Sequence, residues 1–164
     1  MHGEQYLTGP ARRDLTSYYQ ITSGIGKAIA AKQAGGGPVR VGVIGLGTGT
    51  LAGYGRKGDV FRFYDINPAV VAIARNEFAY LGDSPATIET ALGDARLPLE
   101  REAAENVDVL AVDGFSSDAI PGHLITKEAL EIQLRHMTTE AIGACQVPNH
   151  PRHTCPGVVA VAQR

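Results

Sequence analysis

The sequence is short of cysteine, of net charge and of long apolar runs, and each shortage excludes a class of protein. Its two cysteines, Cys145 and Cys155, are too few for a disulfide framework and suit a reducing compartment. A formal net charge of −2, without a basic cluster on any predicted face, argues against a nucleic-acid partner. No apolar run approaches the roughly 20 residues of a membrane span, and no leader pattern opens the chain. We therefore expect a soluble, cytoplasmic protein without membrane contact.

Strands and helices are predicted to alternate along most of the chain. With 44% hydrophobic residues in a chain of 164, the composition suits one folded domain with a sizeable core. A mostly helical entry segment, interrupted near Gly24 and Gly26, occupies residues 1–37. The predicted strands are 39–44, 60–64, 87–92 and 107–112, and the predicted helices are 51–57, 68–81, 97–105 and 126–137. This alternation predicts an α/β, Rossmann-like fold, a mainly parallel sheet with helices on both faces.

The segment after Met137 departs from this rhythm. Its proline-rich composition predicts an irregular, poorly packed tail over residues 138–164, with one further strand near its end. Cysteine and histidine are the side chains that zinc prefers, and the tail holds four of them: Cys145, His150, His153 and Cys155. Their spacing, C-x4-H-x2-H-x-C, matches no usual zinc finger or ribbon. We therefore predict no metal site and no metal cofactor.

A glycine loop follows the first predicted strand. The sequence GLGTGT at 45–50 stands between a strand and a helix, where backbone N–H groups and a helix N-terminus can meet a ligand. Asp65 ends the second strand 20 residues after Gly45, the separation at which an acidic side chain reaches both ribose hydroxyls. The two features together predict a nucleotide site.

Acidic residues also follow the third and fourth predicted strands. Asp94, next to Ala95, is placed to accept the amino group of adenine, and Asp113 ends the fourth strand, where open α/β sheets bind ligands. Three acids suit a nucleoside with a cationic reacting centre, and they repel the pyrophosphate of a dinucleotide. The loop alone would also serve NAD, so NAD-dependent oxidoreduction stays an alternative.

Several motifs together resemble the spermidine synthase-like proteins, the polyamine aminopropyltransferases. These motifs lie within residues 2–137 and are HGEQ, YYQITSGIG, VGVIGLGTGT, FYDINPAVVAIA, ALGDAR and VDVLAVDGFSSDAIPGHLITKEAL. Their order and spacing are more specific than any single motif.

The resemblance implies a class I methyltransferase-like fold and transfer of the aminopropyl group of decarboxylated S-adenosylmethionine to a diamine such as putrescine. Residue by residue, it implies a donor site, a catalytic acid and an amine site. Gly45, Gly47 and Gly49 match the family's nucleoside-binding loop, Asp65 its ribose-binding acid, Asp94 and Ala95 its adenine contact, and Asp113 its catalytic acid. Gln5 and Tyr18 match the glutamine and tyrosine that line the donor and amine sites. Beside these matched residues, we predict that Thr48 and Ile66 also line the donor site and that Asp118 is a second acidic contact for the amine.

Three departures from the family pattern keep other functions open. Thr48 stands where the family has an aspartate that helps to hold the cationic end of the donor, and four residues, GFSS, separate Asp113 from Asp118. Methyl transfer from ordinary S-adenosylmethionine is therefore one alternative.

Relatives also continue past Met137 with further strands, so we expect the sheet to be incomplete at the C-terminus. An exposed sheet edge favours pairing with another chain, here a homodimer, and a non-catalytic nucleoside-binding or assembly module is the other alternative.

Overall fold

A six-stranded sheet forms the centre of the molecule. The computed structural model describes residues 3–113, 122–124 and 126–145, and the backbone of 159–161. The strands are β1 Arg40–Ile44, β2 Val60–Asp65, β3 Thr87–Leu92, β4 Val107–Val112, β5 Met137–Cys145 and β6 Val159–Val161. They lie in the order β3-β2-β1-β4-β5-β6, and only β6 runs antiparallel to its neighbour. The predicted, mainly parallel α/β sheet is thereby confirmed.

Short helices connect the strands and cover both faces of the sheet. They are α1 Gly24–Gln33, α2 Pro68–Asn76, α3 Tyr80–Asp83, α4 Arg96–Arg101 and α5 Lys127–Arg135, with 3-10 turns at Pro10–Arg13, Ser17–Tyr19, Thr50–Tyr54 and Gly122–Leu124. Ser23, Asn67 and Thr126 cap α1, α2 and α5, each accepting a backbone N–H bond with its side-chain oxygen.

Two apolar clusters fill the space between the sheet and these helices. On one face, Val41 and Val43 of β1 pack with Ile25 and Ile29 of α1. On the other face, Ile44 packs with Leu99 of α4. Because side chains alternate along a strand, consecutive residues of β1 supply the two separate cores.

Several predicted helices differ from those in the structure. The entry helix begins only at Gly24, because Ser23 caps it there, and a 3-10 turn precedes it. The helix predicted for 51–57 is the 3-10 turn Thr50–Tyr54, and that predicted for 68–81 is divided into α2 and α3. The helix predicted for 97–105 ends at Arg101, and that predicted for 126–137 ends at Arg135.

The prediction of an irregular tail from residue 138 is wrong for its first part. Met137–Cys145 forms β5, which pairs with β4 on one side and β6 on the other. Ala141 and Ala144 are buried, and their small side chains supply none of the β-branched signal that marked the other strands. The domain therefore extends at least to Cys145. The rest of the predicted tail, residues 146–158 and 162–164, lies outside the described residues.

The sheet topology fixes where a ligand can bind. β1 lies between β2 and β4. The chain adds β2 and β3 on one side of β1 and then crosses to the other side, where it adds β4. At such a switch point the loops after the strands diverge and leave a crevice at the carboxyl ends. The glycine loop and the acids after β2, β3 and β4 all lie at this end.

Candidate functional site

A cleft of about 520 Å³ lies at the carboxyl ends of the parallel strands. That volume falls in the range of small-molecule sites, about 300–1,000 Å³. Its lining includes Asp65, Asp94 and Asp113, and among the described lining residues there is no lysine or arginine. The cleft therefore carries a negative field that suits a cationic or neutral ligand and opposes an anionic one.

The glycine loop forms one wall of the cleft. Gly45 and Gly47 line it, with φ values of 102° and 54° in the left-handed region that favours glycine. The Gly45 N–H donates to the Tyr64 carbonyl oxygen at 2.8 Å, which holds the loop against β2. Thr48 is not among the lining residues: its hydroxyl lies 2.8 Å from that of Thr50, and a Cβ on Gly3 would overlap its side chain.

Asp65 joins the glycine loop to the end of β2. Its Oδ2 accepts the Leu46 N–H at 3.0 Å, and its Oδ1 accepts the Asn67 N–H at 2.9 Å. A carboxylate offers about four acceptor positions. The described residues therefore leave two positions for donors in the cleft, as many as the hydroxyls of one ribose. Ile66, the next residue, also lines the cleft and is exposed at its mouth.

Asp94 and Ala95 line the other end of the cleft, directly after β3. The Arg96 N–H donates to Asp94 Oδ1 at 3.0 Å, so α4 begins with the Asp94 carboxylate at its N-terminus. His123, from the turn after β4, places its Nε2 3.7 Å from Asp94 Oδ2. His123 was not predicted as a site residue, because a histidine after Pro-Gly in a loop carries no local signal.

Asp113 lies where β4 ends, between β1 and β5. Its N–H donates to the Ile44 carbonyl oxygen at 2.7 Å, and its Oδ2 accepts the Tyr19 hydroxyl. The Asp113 Oδ1 atom is buried and has no hydrogen-bond partner in the part of the chain that the structure describes. Burial raises the pKa of Asp113 to about 7, although the Tyr19 hydrogen bond opposes that rise.

Two tyrosines from the entry segment cover Asp113. Tyr19 is buried, its hydroxyl lies 3.4 Å from that of Tyr18, and the two ring centroids are 4.4 Å apart. Burial, together with the Asp113 charge, raises the pKa of Tyr19 well above its usual range. The Tyr19 hydroxyl therefore stays protonated and acts as a fixed donor toward Asp113. Both tyrosines line the cleft. Tyr18 was predicted as a site residue, whereas Tyr19 was not, because adjacent tyrosines on a predicted helix suggest packing.

The structure brings together most of the predicted site residues but not all of them. One cleft is lined by Gly45, Gly47, Asp65, Ile66, Asp94, Ala95, Asp113 and Tyr18. Thr48 and Gly49, which were predicted with them, are not among its lining residues. Gln5 is elsewhere: its Oε1 accepts the Ala79 N–H at 2.9 Å and its Nε2 donates to the Arg12 carbonyl oxygen at 2.8 Å. Its side chain ties the N-terminal segment to the start of α3. Asp118 lies outside the described residues.

Two absences apply to the described ranges alone. Within them, no group of three histidine, cysteine, aspartate or glutamate side chains could hold a metal ion. Of the four residues weighed as zinc ligands, His150, His153 and Cys155 lie outside these ranges. Nor does any helix there have the length and apolar character to cross a membrane.

Comparisons with known proteins find structural neighbours but no sequence family. No protein-family model and no curated protein matches the chain. A probable spermidine synthase from Corynebacterium glutamicum superposes with a TM-score of 0.62 and 18% identity, over 74% of this chain and 45% of that one. A spermidine synthase in complex with the transition-state analogue AdoDATO gives 0.55 and 20%, over 66% and 39%. Human methyltransferase-like protein 13 in complex with SAH gives 0.57 and 18%, over 69% and 56%.

These similarities establish the fold. The sheet has the Rossmann-like class I methyltransferase fold that the motif resemblance implied. The chain spans less than half the length of the two spermidine synthases that it matches.

Proposed function

We propose that the cleft binds a sulfonium nucleoside and that the chain is a transferase, moving the aminopropyl group of decarboxylated S-adenosylmethionine to a diamine such as putrescine. The observation that carries the proposal is the set of three carboxylates, Asp65, Asp94 and Asp113, in one cleft without a lysine or arginine among its described lining residues. The donor is cationic at sulfur and at its amine, and the acceptor is a cation too, so each gains from this field.

The donor would lie along the carboxyl ends of β1, β2 and β3. The two free acceptor positions of Asp65 suit the ribose hydroxyls, and Asp94 suits the amino group of adenine. Ile66 would lie against a face of the purine. This arrangement points the sulfonium end toward Asp113, the remaining carboxylate of the cleft.

Asp113 would serve as the base for the attacking amine. A diamine nitrogen has a pKa of about 10, similar to that of lysine, so it must lose a proton before it attacks. The proton that the amine loses before the attack passes to Asp113, whose raised pKa of about 7 suits proton transfer near neutral pH. The nitrogen lone pair then forms a bond to the aminopropyl carbon that is attached to sulfur. The bond between that carbon and sulfur breaks with both electrons going to sulfur, and methylthioadenosine leaves.

Methyl transfer is the second candidate, and Thr48 favours it. At this loop position an acidic side chain would help to hold the cationic end of an aminopropyl donor, whereas Thr48 bonds with Thr50 and packs beneath the N-terminal segment. Structural neighbours also include an O-methyltransferase, TomG from Streptomyces achromogenes, in complex with SAM, at 16% identity and a TM-score of 0.53, over 73% of this chain and 53% of that one.

Binding is the first test, because it does not require an acceptor. Calorimetry should show methylthioadenosine binding and no binding of NAD, and Asp65→Ala should weaken the methylthioadenosine signal. Glu140→Ala, an exposed carboxylate on β5, is the control. Tighter binding of NAD than of methylthioadenosine would contradict the proposal.

Product analysis separates the two reactions. The chain is incubated with putrescine and either donor, and the nucleoside product is identified by mass spectrometry. Methylthioadenosine indicates aminopropyl transfer, whereas S-adenosylhomocysteine indicates methyl transfer.

A further inference from the structure

A hydrogen bond from the first βα connection holds the backbone of Tyr19. The hydroxyl of Tyr54, the last residue of the 3-10 turn Thr50–Tyr54, donates to the Tyr19 carbonyl oxygen at 2.5 Å. Tyr54 is buried, and burial raises its pKa to about 12, so the hydroxyl keeps its proton at physiological pH. The glycine loop lies directly before this turn, so one short segment both lines the cleft and donates a hydrogen bond to the Tyr19 backbone.

Gly26 leaves the space through which the Tyr54 hydroxyl reaches Tyr19. A Cβ at this position of α1 would overlap the hydroxyl oxygen and would lie 2.6 Å from the Gln20 carbonyl oxygen. Glycine is one of the poorest helix formers, yet it stands in the first turn of α1, where φ does not demand it. The close approach of Tyr54 accounts for its presence, and this explains part of the YYQITSGIG motif that the donor and acid assignments leave unexplained.

The contacts continue from Tyr19 to the acid at the end of β4. Tyr54 holds the Tyr19 backbone, and the Tyr19 hydroxyl donates to Asp113 Oδ2. The geometry points to Tyr54 as a positioning residue, which sets Tyr19 against the Asp113 carboxylate and links the glycine-loop segment to the reacting end of the cleft. This inference rests on the proposed role of Asp113, but its test observes the carboxyl group directly and needs neither donor nor acceptor.

A purely structural role for Tyr54 makes a different prediction. Its ring packs in the core with α1 and β1, and removing one hydroxyl from such a site lowers stability without changing any distant titration. If Tyr54 positions Tyr19, however, removing the Tyr54 hydroxyl loosens the hydrogen bond between Tyr19 and Asp113. That bond lowers the pKa of Asp113, so loosening it raises that pKa.

The test is a carbon-13 NMR titration of the aspartate carboxyl groups, with the Asp113 signal assigned by its disappearance in Asp113→Asn. Tyr19→Phe removes the direct donor and defines the full upward shift of the Asp113 titration. Tyr54→Phe, which keeps the ring, should produce at least half of that shift. Ser84→Ala is the control, because it removes a hydrogen bond to a carbonyl of the same 3-10 turn, that of Ala52, without touching Tyr19. It also removes the bond that the Ser84 hydroxyl accepts from the Ala86 N–H, so it perturbs this turn at least as much as Tyr54→Phe does.

Gly26→Ala is a second variant that keeps the inference testable if Tyr54→Phe is poorly folded. Gly26→Ala should displace the Tyr54 hydroxyl and shift the Asp113 titration in the same upward direction. Where Tyr54→Phe folds, combining the two changes should add little further shift, since both break the Tyr54–Tyr19 contact. A full additional shift in the double variant would assign the effect of Gly26→Ala to the clash of its Cβ with the Gln20 carbonyl oxygen and would count against the inference.

Two outcomes overturn the inference. If Tyr54→Phe leaves the Asp113 titration at its wild-type position while Tyr19→Phe moves it, Tyr54 is a packing residue. If the Ser84→Ala control shifts the titration as far as Tyr54→Phe does, the effect reflects general loosening of the turn. A failure of donor binding would leave this titration unaffected, so the two proposals fail separately.

Discussion

Asp113→Asn should make the folded protein more stable at pH 8 than the wild type, although it removes the proposed catalytic acid. Burial raises the pKa of Asp113 from its ordinary value of 3.8 to about 7, and the Tyr19 hydrogen bond only partly offsets that effect. Among the described residues, the groups that interact with this carboxyl are the hydroxyls of Tyr18 and Tyr19 and the thiol of Cys145. None of these carries a positive charge that would stabilise the carboxylate.

The sign of the effect follows from linkage. Below about pH 4 the Asp113 carboxyl is protonated in both the folded and the unfolded chain, so its burial does not lower the free energy of unfolding through ionisation. Between about pH 4 and 7 the unfolded chain ionises first, and the folded state loses stability as the pH rises through the folded-state pKa. Each tenfold difference in proton affinity is worth about 1.4 kcal/mol, so the complete loss is about 4 kcal/mol. That is a large share of the roughly 5–15 kcal/mol by which domains are stable.

Urea unfolding of the wild type and Asp113→Asn at pH 4, 5, 6, 7 and 8, followed by circular dichroism, measures this difference. The variant should gain on the wild type as the pH rises, by about 4 kcal/mol between the ends of the range. Glu140→Gln removes one exposed carboxylate from β5 and controls for the change in net charge. A stability difference between Asp113→Asn and wild type that stays constant from pH 4 to 8 would refute the reasoning.

Three further predictions concern catalysis and the packing around the sheet. Asp113→Asn should lower turnover by about 10²–10⁴-fold with much less effect on methylthioadenosine binding, as expected for loss of a positioned base; near-normal turnover would make Asp113 a structural acid. Asp59→Ala should cost about 3 kcal/mol or more in urea unfolding, because Asp59 is buried and its carboxylate accepts bonds from Arg56, Gln33 and the Val39 N–H. A cost no greater than that of Asp83→Ala, which removes a half-buried carboxylate paired with two exposed arginines, would contradict this. His136→Ala should cost about 2–4 kcal/mol, because the buried imidazole bonds two backbone groups that would lose their partner; thermal unfolding with an unchanged midpoint would contradict it.

The strands and the acids at their ends were predictable from local patterns. β1 to β4 are β-branched or aromatic runs, each bounded by glycine, proline or aspartate, and the predicted bounds agree with the observed ones to within one residue. Because parallel strands end at one edge of a sheet, the acids that follow β2, β3 and β4 had to gather there. The glycine loop and its link to Asp65 follow from the same rule.

The helix ends and β5 were less predictable. Helix ends depend on which backbone groups find a cap, and the Ser23 cap places the start of α1 after the tyrosines that the pattern had included in the same helix. β5, MTTEAIGAC, consists mostly of polar and small residues and has no alternating pattern. It is a strand because β4 and β6 supply partners for its backbone, and those pairings are tertiary contacts.

The sequence by itself determined the α/β alternation, the glycine loop and the three acids, since each depends on the order of residues within a short segment. The tertiary structure alone decided how the cleft is completed. Tyr19 reaches Asp113 across 94 positions of the chain, Tyr54 reaches the Tyr19 backbone across 35, and Gln5 is drawn away from the cleft by Ala79 and Arg12. Such contacts leave no periodic trace in the sequence, because they depend on how separate segments pack around the sheet. The raised pKa of Asp113 has the same origin, because burial is a property of the folded chain and not of the order of its amino acids.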